Sequence, residues 1–261
     1  MKISLIQMDI AYGNPVENMQ RVRERIAHAA NNNPDVVVLP EMWNTAYDFR
    51  DLGRDADPDG KETRALLRDL SLQHRIHIVG GSVAEKSKQG ISNCTYVYDP
   101  AGEEIAVYRK VHLFRLLNED KYLIPGEALT MYNVGEARVG AAICYDLRFP
   151  EMMRTYALRG ANVLIIPAQW PHPRLAHWRQ LVIARAIENQ LFVVACNRVG
   201  SGGDNTFFGH SMVVNPWGDV LVEGDEEETI LTVDVDLNEV DRVRENIPVF
   251  QDRRAELYGT H

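Results

Sequence analysis

Lys2-Ile-Ser-Leu-Ile-Gln-Met-Asp9, the segment 15–30, and Asp35-Val-Val-Val-Leu-Pro-Glu41 together decide the fold. The outer two runs are short and rich in aliphatic and β-branched residues, as strands are, and the middle segment is amphipathic at helical spacing. Pro15 suits a first helical turn, where its missing N–H goes unused, and Asn31-Asn-Asn-Pro34 ends the helix. Strand, helix and strand in this order form the unit of an α/β fold rather than of separate all-α and all-β halves.

Working outward, a second helix over 63–74 precedes the strand-like Ile76-His-Ile-Val-Gly80. The middle differs: Asn93-Cys-Thr-Tyr-Val-Tyr98 and Glu104-Ile-Ala-Val-Tyr108 flank Asp99-Pro-Ala-Gly102, a turn-forming string that predicts an antiparallel hairpin. The βα rhythm then resumes with a helix over 150–159 stopped by Gly160, strand Val163-Leu-Ile-Ile-Pro167, a helix over 175–190, and strand Leu191-Phe-Val-Val-Ala195. A last hairpin joins Gly209-His-Ser-Met-Val-Val214 to Val220-Leu-Val222 through Asn215-Pro-Trp-Gly218. Mixed sheets with helices on their outer faces fit this order. No linker, low-complexity tract or fixed-period repeat interrupts the chain, so one domain over 1–261 is expected. Gly200-Ser-Gly-Gly-Asp204 lacks the spacing and the Lys of a phosphate loop and reads as a surface loop.

Composition narrows the partners. A formal charge of −9 and a pI near 5.4 argue against nucleic acid or an anionic membrane, which select clustered positive charge, and leave small soluble substrates. Three cysteines, Cys94, Cys144 and Cys196, sit in no C-x-x-C spacing, so neither a disulfide framework nor a thiolate metal site is favoured. Free thiols fit a reducing compartment, and with no signal-peptide pattern or long apolar run the expectation is a cytoplasmic protein. His172 and His177, five residues apart, do not align on one helix face, so no metal is expected. Trp178 with His177 is expected to pack a helix on a sheet, Cys94 and Cys196 to be core thiols, and Asp225-Glu-Glu-Glu228 to be a solvated turn.

Three strand ends carry the chemistry. Val139-Gly-Ala-Ala-Ile-Cys144-Tyr-Asp-Leu-Arg-Phe-Pro-Glu151 puts a thiol where an apolar run stops, Asp35-Val-Val-Val-Leu-Pro-Glu41 delivers a carboxylate, and Glu104-Ile-Ala-Val-Tyr-Arg-Lys110 delivers an ammonium. Taken singly, such a thiol is more often core packing. A thiol with an ordinary pKa of ~8.5 is mostly protonated at neutral pH and needs a base or a cation to react. Glu41 would take its proton and later pass it to a departing amine. Lys110 and the N–H of Tyr145 would hold an oxyanion. The set suggests a hydrolase of carbon–nitrogen bonds.

Leu39-Pro-Glu41-Met-Trp-Asn, Tyr108-Arg-Lys110-Val-His-Leu-Phe114 and Ile143-Cys144-Tyr-Asp-Leu-Arg-Phe-Pro-Glu151 resemble, in order and separation, the three signature blocks of the nitrilase or carbon–nitrogen hydrolase superfamily. The resemblance covers essentially the whole chain. It implies a four-layer α-β-β-α sandwich of two mixed sheets and a Glu–Lys–Cys triad on Glu41, Lys110 and Cys144, working through a thioester without a cofactor. It also implies a second glutamate six residues before a Pro-Gly, which falls on Glu119 ahead of Pro125-Gly126 and would orient the lysine and the substrate nitrogen. The alternatives are that Glu119 is an exposed acid and that Glu127 takes the role.

Ala184-Arg-Ala-Ile-Glu-Asn-Gln190, Gly209-His-Ser-Met-Val-Val-Asn-Pro-Trp-Gly218 and the stretch from Asn246 to Tyr258 resemble the omega-amidase branch, whose substrates are monoamides such as 2-oxoglutaramate and 2-oxosuccinamate. N-carbamoyl hydrolases and other aliphatic amidases share the triad, and a non-catalytic binding protein would share the fold. A substrate carboxylate calls for a further cation, for which Arg115, Arg148 and Arg174 are candidates. Arg148 could instead pair with Glu151, and Trp170 either walls the pocket or packs. The family resemblance implies a homodimer formed through a helical face.

Overall fold

Continuous burial along the first strands marks a sheet with two covered faces. In the computed structural model, which describes residues 1–258, strand Lys2–Gln7 pairs in parallel with Val36–Val38, and that strand with His77–Val79. Ile3, Leu5, Val36, Val38 and Val79 face one core, and Ile6, Val37 and Ile78 the other, as a side-chain period of two requires. Helices Pro15–Ala30 and Lys61–His74 cover the outer face with Val22, Ile26, Ala29, Leu66, Leu67 and Leu70. The inner face meets a second, six-stranded sheet that contains Ala137–Ala141, Val163–Ala168 and Phe192–Asn197 side by side in parallel. Helices Pro150–Leu158 and Leu175–Asn189 cover the far side, completing an α-β-β-α sandwich.

Strand direction brings the chemistry to one place. Ile91–Tyr98 runs antiparallel to His77–Val79, and Glu104–Arg109 antiparallel to Ile91–Tyr98, so Glu104–Arg109 points the same way as Val36–Val38. Their carboxyl ends, just before Glu41 and Lys110, therefore open on one edge of the eight-stranded sheet. Crevices outside such ends are where ligands bind in α/β folds.

The structure departs from the sequence expectations in several places. Thr229–Asp234 is a strand that closes the edge beside Lys2–Gln7, in antiparallel register from Lys2 opposite Asp234 to Gln7 opposite Thr229. Gly200-Ser-Gly-Gly-Asp204 is not a plain loop. It lies in a two-stranded ribbon, Val199–Gly202 with Asn205–Phe208, whose turn places Gly203 at φ +58°. The acidic turn before Thr229 is exposed, yet Glu228 accepts the N–H of Asp9 at 2.8 Å and pairs with Arg21 and Arg25. Trp178 is buried and donates its indole N–H to the carbonyl of His210 at 2.7 Å, whereas His177 is exposed. Cys94 and Cys196 are wholly buried, and burial pushes both thiols up. Among the described residues no helix is long and apolar enough to cross a membrane.

Candidate active site

Glu41 stands in a stretch, Glu41 to Asp48, that is buried without being helix or strand. Its backbone polar groups therefore need partners elsewhere. Met42 N–H donates to the Ser82 hydroxyl at 2.9 Å, Trp43 N–H to Ser82 O at 2.9 Å, and the Asn44 side chain accepts the N–H of Ala84 at 2.9 Å. Gly81 allows this approach: it holds φ +60°, and a Cβ there would lie 2.1 Å from the carbonyl oxygen of Pro40. From the second sheet, Gln169 clasps Glu41 twice, its N–H reaching Oε2 at 2.7 Å and its side-chain amide reaching the Glu41 carbonyl at 2.6 Å. Asn93 donates to Glu41 Oε1 at 2.8 Å.

Lys110 follows strand Glu104–Arg109 directly and turns its ammonium inward. Its Nζ lies 2.7 Å from Glu41 Oε1 and 2.7 Å from Glu119 Oε1, with all three side chains sealed from solvent. Burial alone would lower the ammonium, but the Glu119 and Glu41 carboxyls outweigh it and raise the group above its ordinary range, so it stays charged. Glu119 opens the short helix Glu119–Tyr122, and its other oxygen accepts the N–H of Phe114 at 3.0 Å, tying that loop shut. Glu127, the competing acid, is exposed.

Cys144 begins a 3-10 turn, Cys144–Arg148, three residues past the end of strand Ala137–Ala141. It holds φ +45°, a left-handed conformation that costs a non-glycine residue roughly 1–2 kcal/mol. Asp146 pins the turn: its wholly buried carboxylate accepts the N–H of Ile143 at 2.9 Å, the Tyr108 hydroxyl at 2.7 Å and the N–H of His112 at 3.0 Å, and meets His112 Nδ1 at 2.8 Å. One carboxylate thus ties the cysteine turn to the segment carrying Lys110. Burial first, then the charge of Glu41, push the Cys144 thiol well above its ordinary range against the pull of Lys110. The resting group is a thiol, and an attack by sulfur requires a base to take its proton. Tyr145 follows at once, placing its N–H among the first amides of the turn, which a helical turn does not itself use.

A narrow cavity reaches Cys144, walled by Phe114, Tyr145, Arg148, Trp170, Pro171 and Arg174. Arg148 does not pair with Glu151; its guanidinium lies over the Trp170 ring, 4.6 Å from the centroid. Arg174 lies near Phe114, 5.7 Å from that ring's centroid. Among the described residues neither arginine has a carboxylate partner, and burial, with Arg174 adding to it, lowers Arg148 from its ordinary range. Asn197 fixes Trp170, accepting its backbone N–H at 2.7 Å. Arg115 is the candidate placed elsewhere: it is exposed and lines a neighbouring groove with His112 and Asp120. The sequence reading did not include Tyr47, Asn93, Asp146 or Gln169. Asp146 lay inside the quoted cysteine block, and Tyr47 six residues past Glu41, but nothing periodic marks either as buried.

Comparison with known proteins agrees with this architecture. The carbon–nitrogen hydrolase family profile matches residues 2–245. The chain belongs to that family, and it is a hydrolase of amides. Within the family it resembles the omega-amidases: it is 47% identical over 256 residues to the 2-oxoglutaramate amidase of Bacillus subtilis, spanning 98% of each chain. It is 34% identical over 267 residues to the human omega-amidase NIT2, spanning 99% of this chain and 96% of that one. The crystal structure of Saccharomyces cerevisiae Nit3, a member of branch 10 of the nitrilase superfamily, superposes with a TM-score of 0.90 at 30% identity, covering 97% of this chain and 96% of that one.

Proposed function

We propose that the protein is an omega-amidase that releases ammonia from the ω-amide of a 2-oxo dicarboxylic acid monoamide such as 2-oxoglutaramate. The observation that carries this reading is the pair of guanidiniums, Arg148 and Arg174, in the wall of the cavity that reaches Cys144, neither with a carboxylate partner among the described residues. Two cations in a narrow, largely apolar site suit a substrate with a carboxylate at the end remote from its amide. The similarity to the Bacillus subtilis 2-oxoglutaramate amidase supports the same substrate class.

In this reading the amide carbonyl oxygen lies against Lys110 and the N–H of Tyr145. Glu41 takes the thiol proton as Cys144 sulfur bonds to the carbonyl carbon and the C=O electron pair moves to oxygen. Collapse breaks the C–N bond, Glu41 gives its proton to the nitrogen, ammonia leaves, and a thioester remains on Cys144. Glu41 then takes a proton from water as its oxygen attacks, the C–S bond breaks, and that proton returns to sulfur. Glu119 holds Lys110 in place through both steps.

Residues 1–261 act as one domain in this proposal, in the cytoplasm, and as a homodimer through the outer helical face of the second sheet. Leu158 and Ile187 are about half exposed on that face. Light scattering on the purified chain tests the dimer. The functional reading is tested by measuring ammonia release across 2-oxo ω-amides, simple amides, nitriles and N-carbamoyl compounds. Turnover confined to ω-amides bearing a 2-oxo acid is expected. No activity on them, or carbon dioxide released with ammonia from N-carbamoyl compounds, would refute it.

A further inference from the structure

The Tyr47 hydroxyl stands 2.6 Å from Glu41 Oε1 and 2.5 Å from Glu119 Oε1, with Lys110 Nζ at 3.3 Å. A phenol has one proton to donate. It serves one carboxylate, so the other contact, as short as a charge-assisted O–H···O bond, needs a proton from the carboxyl side. Two Lys110 protons are directed to Glu41 Oε1 and Glu119 Oε1, both at 2.7 Å, and the third to the Tyr47 oxygen at 3.3 Å, so none lies between the oxygens in question.

The surroundings decide which carboxyl is protonated. Glu41 accepts from Lys110, from Asn93 and, on its second oxygen, from the N–H of Gln169, a donor-rich setting that favours a carboxylate. Among the described residues Glu119 has only Lys110 and the N–H of Phe114 besides Tyr47. Two ionised carboxyls beside one ammonium would leave net negative charge in a dry core, which is costly; one retained proton makes the cluster neutral. Burial, with Glu41 adding to it, also raises the Glu119 carboxyl above its ordinary range although Lys110 opposes. Burial first, with the Glu41 carboxylate adding to it, keeps Tyr47 itself protonated.

We propose that Tyr47 is a positioning residue that accepts a hydrogen bond from a neutral Glu119 and donates one to Glu41, leaving Glu41 as the one ionised carboxylate facing Cys144. The hydrogen-bonded chain is Glu119 O–H to Tyr47 O–H to the Glu41 carboxylate. It deepens the reading of Cys144 as nucleophile and Glu41 as base, and is independent of which amide is hydrolysed. The charged and ionisable groups facing the Tyr47 hydroxyl are Glu41, Glu119 and Lys110, with Cys144 beside them.

The test follows the alkylation of Cys144 by iodoacetamide against pH in the full chain, read from the mass of the Cys144 peptide. It needs no substrate, so a failed omega-amidase assignment would leave these profiles intact. The rate falls on the acid side as the carboxylate that accepts the thiol proton becomes protonated. Tyr47→Phe keeps the ring and removes one donor from Glu41, and the acid limb should rise by about one pH unit. Glu119→Gln replaces a neutral acid with a neutral amide and should leave the limb at its wild-type position. A Tyr47→Phe limb superimposed on the wild type would overturn the proposal. So would a Glu119→Gln limb displaced toward acid by about one unit, the mark of a real charge removed from beside Glu41. If Tyr47→Phe does not fold, the Glu119→Gln limb decides alone.

Discussion

Lys110 Nζ lies 2.7 Å from Glu41 Oε1, and neither side chain has surface open to solvent. A buried pair of this kind is costly to break, because the partner left behind keeps its charge without compensation. Lys110→Met should lower stability by about 3–5 kcal/mol near neutral pH. Wild-type Lys110, raised above its ordinary range, is protonated both folded and unfolded below that range, so its own contribution is constant from about pH 5 to 8. In the variant the carboxyls keep one further proton in the fold, in place of the ammonium charge and beyond the one Glu119 already holds in the wild type, and release it on unfolding, so stability falls more steeply as pH rises. Urea unfolding should therefore find a smaller deficit at about pH 5 than at about pH 8, and equal deficits would contradict the account.

Arg148→Met and Arg174→Met should each raise KM for a 2-oxo ω-amide by about 10–100-fold, the worth of one charge-assisted hydrogen bond. The KM of a small neutral amide should hardly change. Steady-state ammonia assays on both substrates check this, and equal losses on the two would remove the arginines from carboxylate recognition.

Asp146→Ala should be destabilising by about 3–5 kcal/mol, since the amides of Ile143 and His112 and the Tyr108 hydroxyl lose a shared acceptor. The left-handed Cys144 turn loses its tie at the same time, so ammonia release should fall more steeply than the folded fraction. Denaturant melts compared with activity per folded molecule read both effects.

Much of this site is written in local sequence. Glu41, Lys110 and Cys144 each follow an apolar run that has to be a strand, and the carboxyl ends of those strands open together. Helix 15–30 was legible from Pro15 and the Asn-rich stop, and the structure has Pro15–Ala30. Other features depend on contacts distant in the chain. Thr229–Asp234 pairs with the first strand, and no nearby residue signals that partner. The ribbon at Val199–Gly202 was hidden because glycines remove the alternation that marks a strand. Tyr47 lies in an irregular buried stretch with neither helical nor strand period, so its place between two glutamates emerges only when three segments meet. Arg148 had a near neighbour in Glu151, yet the turn aims it at Trp170 instead.

The proposed mechanism stands on attack by the Cys144 sulfur at the amide carbon. Its most direct test is ammonia release from 2-oxoglutaramate by wild-type and Cys144→Ala protein at equal folded concentration. Turnover by the wild type and none above background by the variant is the expected result. Ammonia release by Cys144→Ala at the wild-type rate would contradict it.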